Sequence, residues 1–203
     1  VLLLLPACST IDEDPDKVDC YTGTYLRFEY TKNMHASDLF DQVDKVELYI
    51  YDKSGNFVTV RQLSHSDLNG NNTYSLSWLP QGDYTAVIWG TPQGTSPVNY
   101  FKNYECLLSE MRYGITCEDG NGLMTQRPGH LYFGSIEIPN TTKKNEKVVS
   151  LTKNSNDIKV VIEHKTTRGG GLLSDLDVRI TSHNGSYNFE NNPADYDVRT
   201  MTY

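Results

Sequence analysis

Residues 43–61 read VDKVELYIYDKSGNFVTVR, and this stretch decides the fold. The apolar residues Val46, Leu48 and Ile50 alternate with polar residues such as Lys45 and Glu47. A period of two residues is typical of a β-strand with one face in the core and the other in solvent. Val43–Asp52 is therefore predicted to be a half-buried strand.

A turn and a second strand follow directly. Asp52-Lys53-Ser54-Gly55 has the residue types of a tight turn, and Asn56–Arg61 continues the strand pattern. The two segments therefore predict a β-hairpin, with Gly55 at positive φ because glycine adopts that conformation without steric cost.

Two tyrosines of the first strand, Tyr49 and Tyr51, lie on the face opposite Leu48 and Ile50. An exposed tyrosine row could stack on sugars or contact a partner protein. The alternative is that both faces of this strand are covered, and we favour it.

The pattern extends outward in both directions. Further alternating segments are separated by Gly, Pro and Asn turns, which is typical of an antiparallel β-sandwich. We assign a first β-sandwich domain to residues 24–154, with its other strands at Thr24–Tyr30, Thr73–Leu79, Tyr84–Gly90, His130–Ile138 and Lys147–Thr152.

The segment Thr91–Gly129 interrupts the pattern, because it is rich in Gly, Pro and polar residues. Long irregular insertions are uncommon unless they have a role. Within it, Tyr104–Tyr113 is predicted to form a short helix.

The strand signals after residue 154 are too few for a complete sandwich. They are Asp157–His164, Leu176–Thr181 and Tyr187–Phe189, with a Gly169-Gly170-Gly171 break among them. We therefore expect residues 155–203 to be an incomplete second β-sandwich domain, and the chain to be a fragment truncated at both ends.

The N-terminus has the pattern of a lipoprotein signal. Val1–Leu5 is an apolar run too short to span a bilayer, and Pro6, Ala7 and Cys8 follow it. Residues 1–7 are predicted to be a signal-peptide remnant, and Cys8 the lipidated residue, although a chance cysteine after an apolar stretch is the alternative. Residues 8–23, with four carboxylates among positions 12–16, form a predicted acidic tether that is either an export signal to the outer surface or a plain linker.

Composition excludes some partners. The 203 residues carry a net charge of −8, which argues against nucleic acid because a phosphate backbone needs clustered Lys and Arg. The other cysteines, Cys20, Cys106 and Cys117, allow one disulfide outside the inner membrane, and the sequence leaves its pairing open.

No set of residues for catalysis or metal binding is evident in the sequence. The five histidines lack the local spacing of zinc ligands, and no G-x-S-x-G motif occurs. We therefore predict neither an enzyme nor a bound cofactor.

Several short segments, in this order, match one family of surface proteins. They are the lipobox ending at Cys8, Leu26–Asn33, Phe40, Val43, Val46, Leu48–Asp52, Gly55, Phe57, Leu79–Tyr84, Trp89-Gly90, Leu131–Gly134 and Leu151–Asn156 leading into Ile158–Val160. In this order the chain resembles the FimB/Mfa-like anchor subunits of Bacteroidales fimbriae.

The resemblance implies two transthyretin-like β-sandwich domains in tandem, and a lipid-anchored place in the outer membrane at the base of a fimbrium. It also implies strand complementation with stalk or accessory subunits, in which a strand of one subunit fills a groove in the next. The alternative is a surface glycan-binding lipoprotein that uses exposed Tyr and Trp with the Thr91–Gly129 insertion, and a surface hydrolase is the third interpretation.

The first prediction concerns Cys8. Cys8→Ala should leave the fold intact and release the protein from the membrane, because the sequence offers no other apolar anchor. Cell fractionation with an acyl label measures this. A variant that stays membrane-bound and keeps its label would contradict the lipidation assignment.

Overall fold

The structure is a computed structural model, and it describes most of the region in which strands are predicted. The described residues are 23–30, 39–41, 43–92, 99–116, 129–155, 158–161, 178–182, 185–193 and 201–202.

Within these residues the chain forms thirteen strands and four short 3-10 turns. The strands are β1 (Thr24–Glu29), β2 (Val43–Asp52), β3 (Phe57–Leu63), β4 (Thr73–Ser75), β5 (Gly82–Pro92), β6 (Asn99–Asn103), β7 (Arg112–Thr116), β8 (Tyr132–Asn140), β9 (Asn145–Ser150), β10 (Thr152–Lys153), β11 (Thr181–Ser182), β12 (Ser186–Asn188) and β13 (Met201–Thr202). The 3-10 turns are Leu39–Asp41, His65–Asp67, Gly70–Asn72 and Leu108–Glu110.

The main sheet has five strands in the order β10-β8-β5-β2-β3, all joined in antiparallel fashion. Its first face packs against a three-stranded sheet of order β4-β1-β9, which confirms the predicted β-sandwich. The core between them is aliphatic and aromatic, and includes Leu26, Phe28, Val46, Leu48, Ile50, Ala86, Ile88, Ile138 and Val149.

One pair in the smaller sheet is parallel. β1 runs beside β9 from Thr24 opposite Asn145 to Glu29 opposite Ser150. The start of β1 is also fixed by Asn140, whose Oδ1 accepts a hydrogen bond from the Thr24 amide at 3.1 Å. β1 is therefore paired along its length with β9 and is hydrogen-bonded at its start to the end of β8.

The predicted hairpin is confirmed by β2 and β3. Asp52 Oδ1 accepts hydrogen bonds from the amides of Ser54 and Asn56, each at 2.8 Å, and so closes the turn. Gly55 adopts φ of +81°, as its place in the turn predicted. The pairing shifts by one residue near Tyr51 and Phe57, so the start of β3 carries a bulge.

The second face of the main sheet is covered as well. A three-stranded sheet of order β12-β7-β6 lies over it, and together they bury a second-face cluster. Its fully buried members are Tyr49, Tyr51, Val87, Trp89, Met111, Tyr113, Leu131 and Phe133. The interpretation that both faces of β2 are covered is confirmed, and the expectation that this strand is only half buried is wrong.

The predicted helix at Tyr104–Tyr113 is also wrong. Only Leu108–Glu110 forms a 3-10 turn, and an extended Met111 leads into β7. Met111, Tyr113 and Ile115 are buried at every second position. That period fits a strand against the second face, and packing there outweighs the helical preference of Leu and Glu.

Two strand boundaries differ from the predictions. The strand predicted at Thr73–Leu79 ends at Ser75, because the chain turns there and the Leu79 amide donates to the Leu76 carbonyl at 2.9 Å. In the predicted strand Asp157–His164, the described residues 158–161 form no regular strand, and Ile158 and Val161 are exposed.

Residues beyond 154 take part in the layer over the second face. β12 pairs with β7, with Tyr187 opposite Tyr113, whereas β11 pairs with β13. Asn154 and Asn191 also exchange amide hydrogen bonds. The division of the chain at residue 154 stays a prediction, but strand pairing crosses it.

The second prediction concerns the second-face cluster. Trp89 is fully buried, stacks on Tyr113 at 4.4 Å between ring centroids, and meets the edge of Phe133. Trp89→Ala should lower the free energy of unfolding by about 3–5 kcal/mol. Val58→Ala, at an exposed position of β3, is the control and should change it by less than about 0.5 kcal/mol. Denaturant melts measure both, and equal losses would contradict the two-faced packing.

Candidate functional site

A carboxylate lies inside the second-face layer. Glu47 on β2 is 2% exposed, and its Oε2 accepts a hydrogen bond from the Tyr49 hydroxyl at 2.7 Å. Its other oxygen forms an ion pair with Lys102 Nζ, which comes from β6. The Lys102 ammonium also lies 5.6 Å from the Tyr113 ring centroid.

This arrangement follows from the cost of burying charge. A carboxylate removed from water is unfavourable unless it is paired and hydrogen-bonded. Lys102 supplies the compensating positive charge and Tyr49 donates the hydrogen bond. The ion pair therefore links β6 to β2. Burial, followed by the negative charge of Glu47, raises the pKa of Tyr49 far above its ordinary value, and its hydroxyl remains a donor.

Tyr49 and Tyr51 face into the protein, as predicted by the interpretation in which both faces of the strand are covered. Tyr51 donates its hydroxyl hydrogen to the Tyr104 carbonyl at 2.8 Å, and the Tyr104 ring packs against Tyr49 and Phe57. Tyr49 and Tyr51 therefore have no exposed ring face for a sugar. A glycan site in this chain would have to use other residues.

Of the four cysteines, the structure describes Cys106. Cys106 is a free thiol whose Sγ lies 3.8 Å from the Asn103 carbonyl oxygen, and burial raises its pKa. The predicted lipidation site Cys8 and the possible disulfide partners Cys20 and Cys117 lie outside the described residues. Their roles remain predictions.

Open strand edges are the other binding feature. In the described part of the chain, β3 pairs only with β2, so its outer edge is free over Phe57–Leu63. It contains no Pro or Gly, and Val58 is 42% exposed. Natural proteins usually protect such edges with charge, proline, bulges, short length or a covering segment, and of these β3 has a bulge at its start and one charged residue, Arg61.

The edges of β8 and β9 are better protected. β8 pairs with β10 only at Tyr132 and Phe133, and the rest of its outer edge contains Pro139, which has no amide hydrogen. β9 carries Glu146 and Lys147, and Glu146 is already bonded to Arg27. β3 is therefore the longest described edge that a further strand could join without meeting these obstacles.

An aromatic–cation pair stands beside the β3 edge. The Arg61 guanidinium carbon lies 4.8 Å from the centroid of the Trp78 ring, and Trp78 is 38% exposed. Arg61 lies opposite Leu48 in the pairing, and so projects on the first face of the sheet. Among the ion pairs of the described residues, Arg61 has no carboxylate partner.

Among the residues that the structure describes, no three His, Cys, Asp or Glu side chains come together as metal ligands. Within the same residues, no helix is long and apolar enough to cross a membrane. The roles of Glu47 and Arg61 could not be predicted from the sequence. Glu47 can be buried only because Lys102 pairs with it, and Arg61 is positioned by Trp78, and both partners lie on distant elements.

The described strands define a β-sandwich protein whose main sheet ends in an open strand edge among those residues. The chain belongs to the family of fimbrillin-A associated anchor proteins Mfa1 and Mfa2, which matches residues 16–203. That match confirms the resemblance seen in the sequence. No curated protein sequence matches the chain significantly.

Solved structures support the fold. A candidate polysaccharide-binding protein from Bacteroides thetaiotaomicron shares 21% identity at a TM-score of 0.64, over 90% of this chain and 64% of that one. A candidate adhesin from the same species shares 24% identity at a TM-score of 0.66, over 90% of this chain and 61% of that one. The fimbrial anchor protein Mfa2 from Porphyromonas gingivalis shares 17% identity at a TM-score of 0.62, over 89% of this chain and 65% of that one. The chain thus spans less than two thirds of the length of each of these proteins.

The third prediction concerns Glu47 and Lys102. Lys102→Met leaves the Glu47 carboxylate buried without its cation, and should lower the free energy of unfolding by about 3–5 kcal/mol. The double variant Lys102→Met/Glu47→Gln should lose less, because no charge is then left unpaired. Lys53→Met, which breaks the exposed pair with Asp83, is the control and should have no measurable effect. Urea melts of the set measure the coupling, and equal losses for the single and double variants would contradict it.

Proposed function

We propose that this chain is part of an outer-membrane lipoprotein that anchors a fimbrium to the cell surface. Family membership over residues 16–203 is the observation that carries the proposal. The likeness in fold to the protein named as the fimbrial anchor of Porphyromonas gingivalis supports it.

Attachment to the membrane is assigned to Cys8. The order of apolar run, small residue and cysteine at Leu5-Pro6-Ala7-Cys8 supports lipidation there. Two acyl chains give stable anchoring where one does not, and a lipidated bacterial cysteine carries at least two. The acidic residues that follow would keep the sandwich away from the bilayer by staying solvated.

Attachment to the fimbrium is assigned to strand complementation with stalk or accessory subunits. Among the described strands, the main sheet has an outer strand with a single partner, and such a strand offers the backbone groups that this mode of binding needs. The same proposal places residues 155–203 in a second β-sandwich domain, in keeping with the greater length of the structural relatives.

The glycan-binding interpretation has less support. One relative is described as a candidate polysaccharide-binding protein, and this likeness carries the fold alone at 21% identity. The tyrosines that would form the platform, Tyr49 and Tyr51, are buried under Tyr104 and Phe57. We therefore retain the anchor function.

The fourth prediction tests the anchor in cells. In a strain lacking its own copy, the full-length protein should restore fimbriae that stay on the cell pellet after shearing. Its Cys8→Ala variant should release fimbriae into the medium, because the base of the fibre loses its lipid. Ser9→Ala is the matched control. Electron microscopy and immunoblots of pellet and medium measure the outcome, and cells that retain fimbriae without the protein would contradict the function.

A further inference from the structure

We propose that the outer edge of β3, with Arg61 held against Trp78, is a docking site for an extended segment of a partner subunit that carries an acidic side chain opposite Arg61. The identity of that partner as a fimbrial subunit rests on the proposed function.

The backbone of β3 supplies the first element of the site. In the described part of the chain β3 has one partner strand, β2, and the bulge lies at its beginning. The segment Thr59–Leu63 is therefore a regular edge whose pairing with β2 shows no shift. Its unpaired amide and carbonyl groups can form a ladder with an added strand.

Arg61 supplies the second element. Stacking on Trp78 limits the freedom of a long side chain, so less entropy is lost when its guanidinium binds. Its donors have no carboxylate partner among the described residues, although the chain as a whole has eight more acidic than basic residues. A guanidinium fork binds a carboxylate through two parallel hydrogen bonds, which fixes both charge and register.

The opposite face of the edge supplies the third element. Val60 and Phe57 lie opposite Tyr49 and Tyr51 in the pairing, and they are only partly buried against the second-face cluster. An added strand would cover them with its own apolar residues. The fitting segment is therefore one in which an acidic residue faces Arg61 and apolar residues at alternate positions face Val60 and Phe57.

The chemistry distinguishes this edge from the others. β9 presents Glu146 next to Lys147, and Glu146 is bonded to Arg27, so an acidic side chain on a strand added there would lie close to a carboxylate. β8 presents Pro139, which breaks a ladder. Only β3, among the described edges, joins a regular backbone to an unpaired guanidinium and half-covered apolar side chains.

Photo-cross-linking in fimbriated cells tests the site with the full-length protein. p-Benzoylphenylalanine replaces Val58 in one strain and Glu146 in another, and the cross-linked proteins are identified by mass spectrometry. We expect a fimbrial subunit to be captured from position 58 and not from position 146. Capture from 146 alone would overturn the β3 assignment and leave the anchor function standing.

Substitutions at Arg61 test the acidic partner. Arg61→Gln should lower the position-58 cross-link about tenfold, since a charge-assisted bidentate pair is lost, whereas Arg61→Lys should lower it less. Lys53→Gln removes a neighbouring exposed cation and is the matched control, with an expected change below about twofold. Equal effects of Arg61→Gln and Lys53→Gln would overturn the role of Arg61.

A charge swap completes the test. Peptide mapping of the cross-link identifies the partner's acidic residue, and its replacement by Arg should restore cross-linking to Arg61→Glu and to no other variant. If no fimbrial subunit is captured from position 58 while Cys8→Ala still sheds fimbriae, the edge is overturned and the anchor function holds. If Cys8→Ala has no effect on fimbriae, the proposed function itself fails.

Discussion

The structure depends on one constraint, which is that the centre of the main sheet is apolar on both faces. β2 contributes six consecutive buried residues from Val46 to Tyr51, all apolar or aromatic except Glu47, which is paired with Lys102, and β5 beside it is buried from Ala86 to Gly90. A sheet of this kind cannot leave either face to water, because each exposed aromatic or aliphatic side chain would cost free energy in proportion to its apolar area. It therefore needs two covers. β1 and β9 provide one cover and β7 provides the other.

The local parts of this architecture could be predicted from the sequence, and the distant pairings could not. The β2–β3 hairpin is specified by neighbouring residues, since its turn needs only Asp52 and Gly55. The second cover depends on Tyr113 meeting Trp89 and Tyr187, which lie far apart in the chain. The strand β7 lies in the Gly- and Pro-rich segment Thr91–Gly129, where the alternation of apolar and polar residues was not recognised as a strand pattern. Glu47 was misplaced for the same reason, because only the arrival of Lys102 makes its burial possible.

The candidate site divides in the same way. The lipidation motif ending at Cys8 is contiguous, so it can be read directly from the sequence. The β3 edge cannot, because a strand is an edge only with respect to the order of all the others in its sheet. Arg61 likewise looks like an ordinary exposed cation on a strand until Trp78 is placed under it. Sequence patterns identify side chains that are buried or solvated, and they do not identify which backbone groups are left without partners.

The parallel pairing of β1 with β9 has a consequence for the order in which the protein folds. β1 begins at Thr24 and its partner β9 at Asn145, so the smaller sheet cannot close until all the residues between them have been synthesised. Pairings across such separations raise the contact order, and folding slows because loop closure must precede the gain from contacts. Until β9 is available, the only strand of the smaller sheet that can pair with β1, among the described residues, is β4, and it reaches only from Tyr25 to Arg27. The apolar face that includes Leu26 and Phe28 therefore stays incompletely covered until residues from both ends of this segment meet, and such a face is prone to association with other chains.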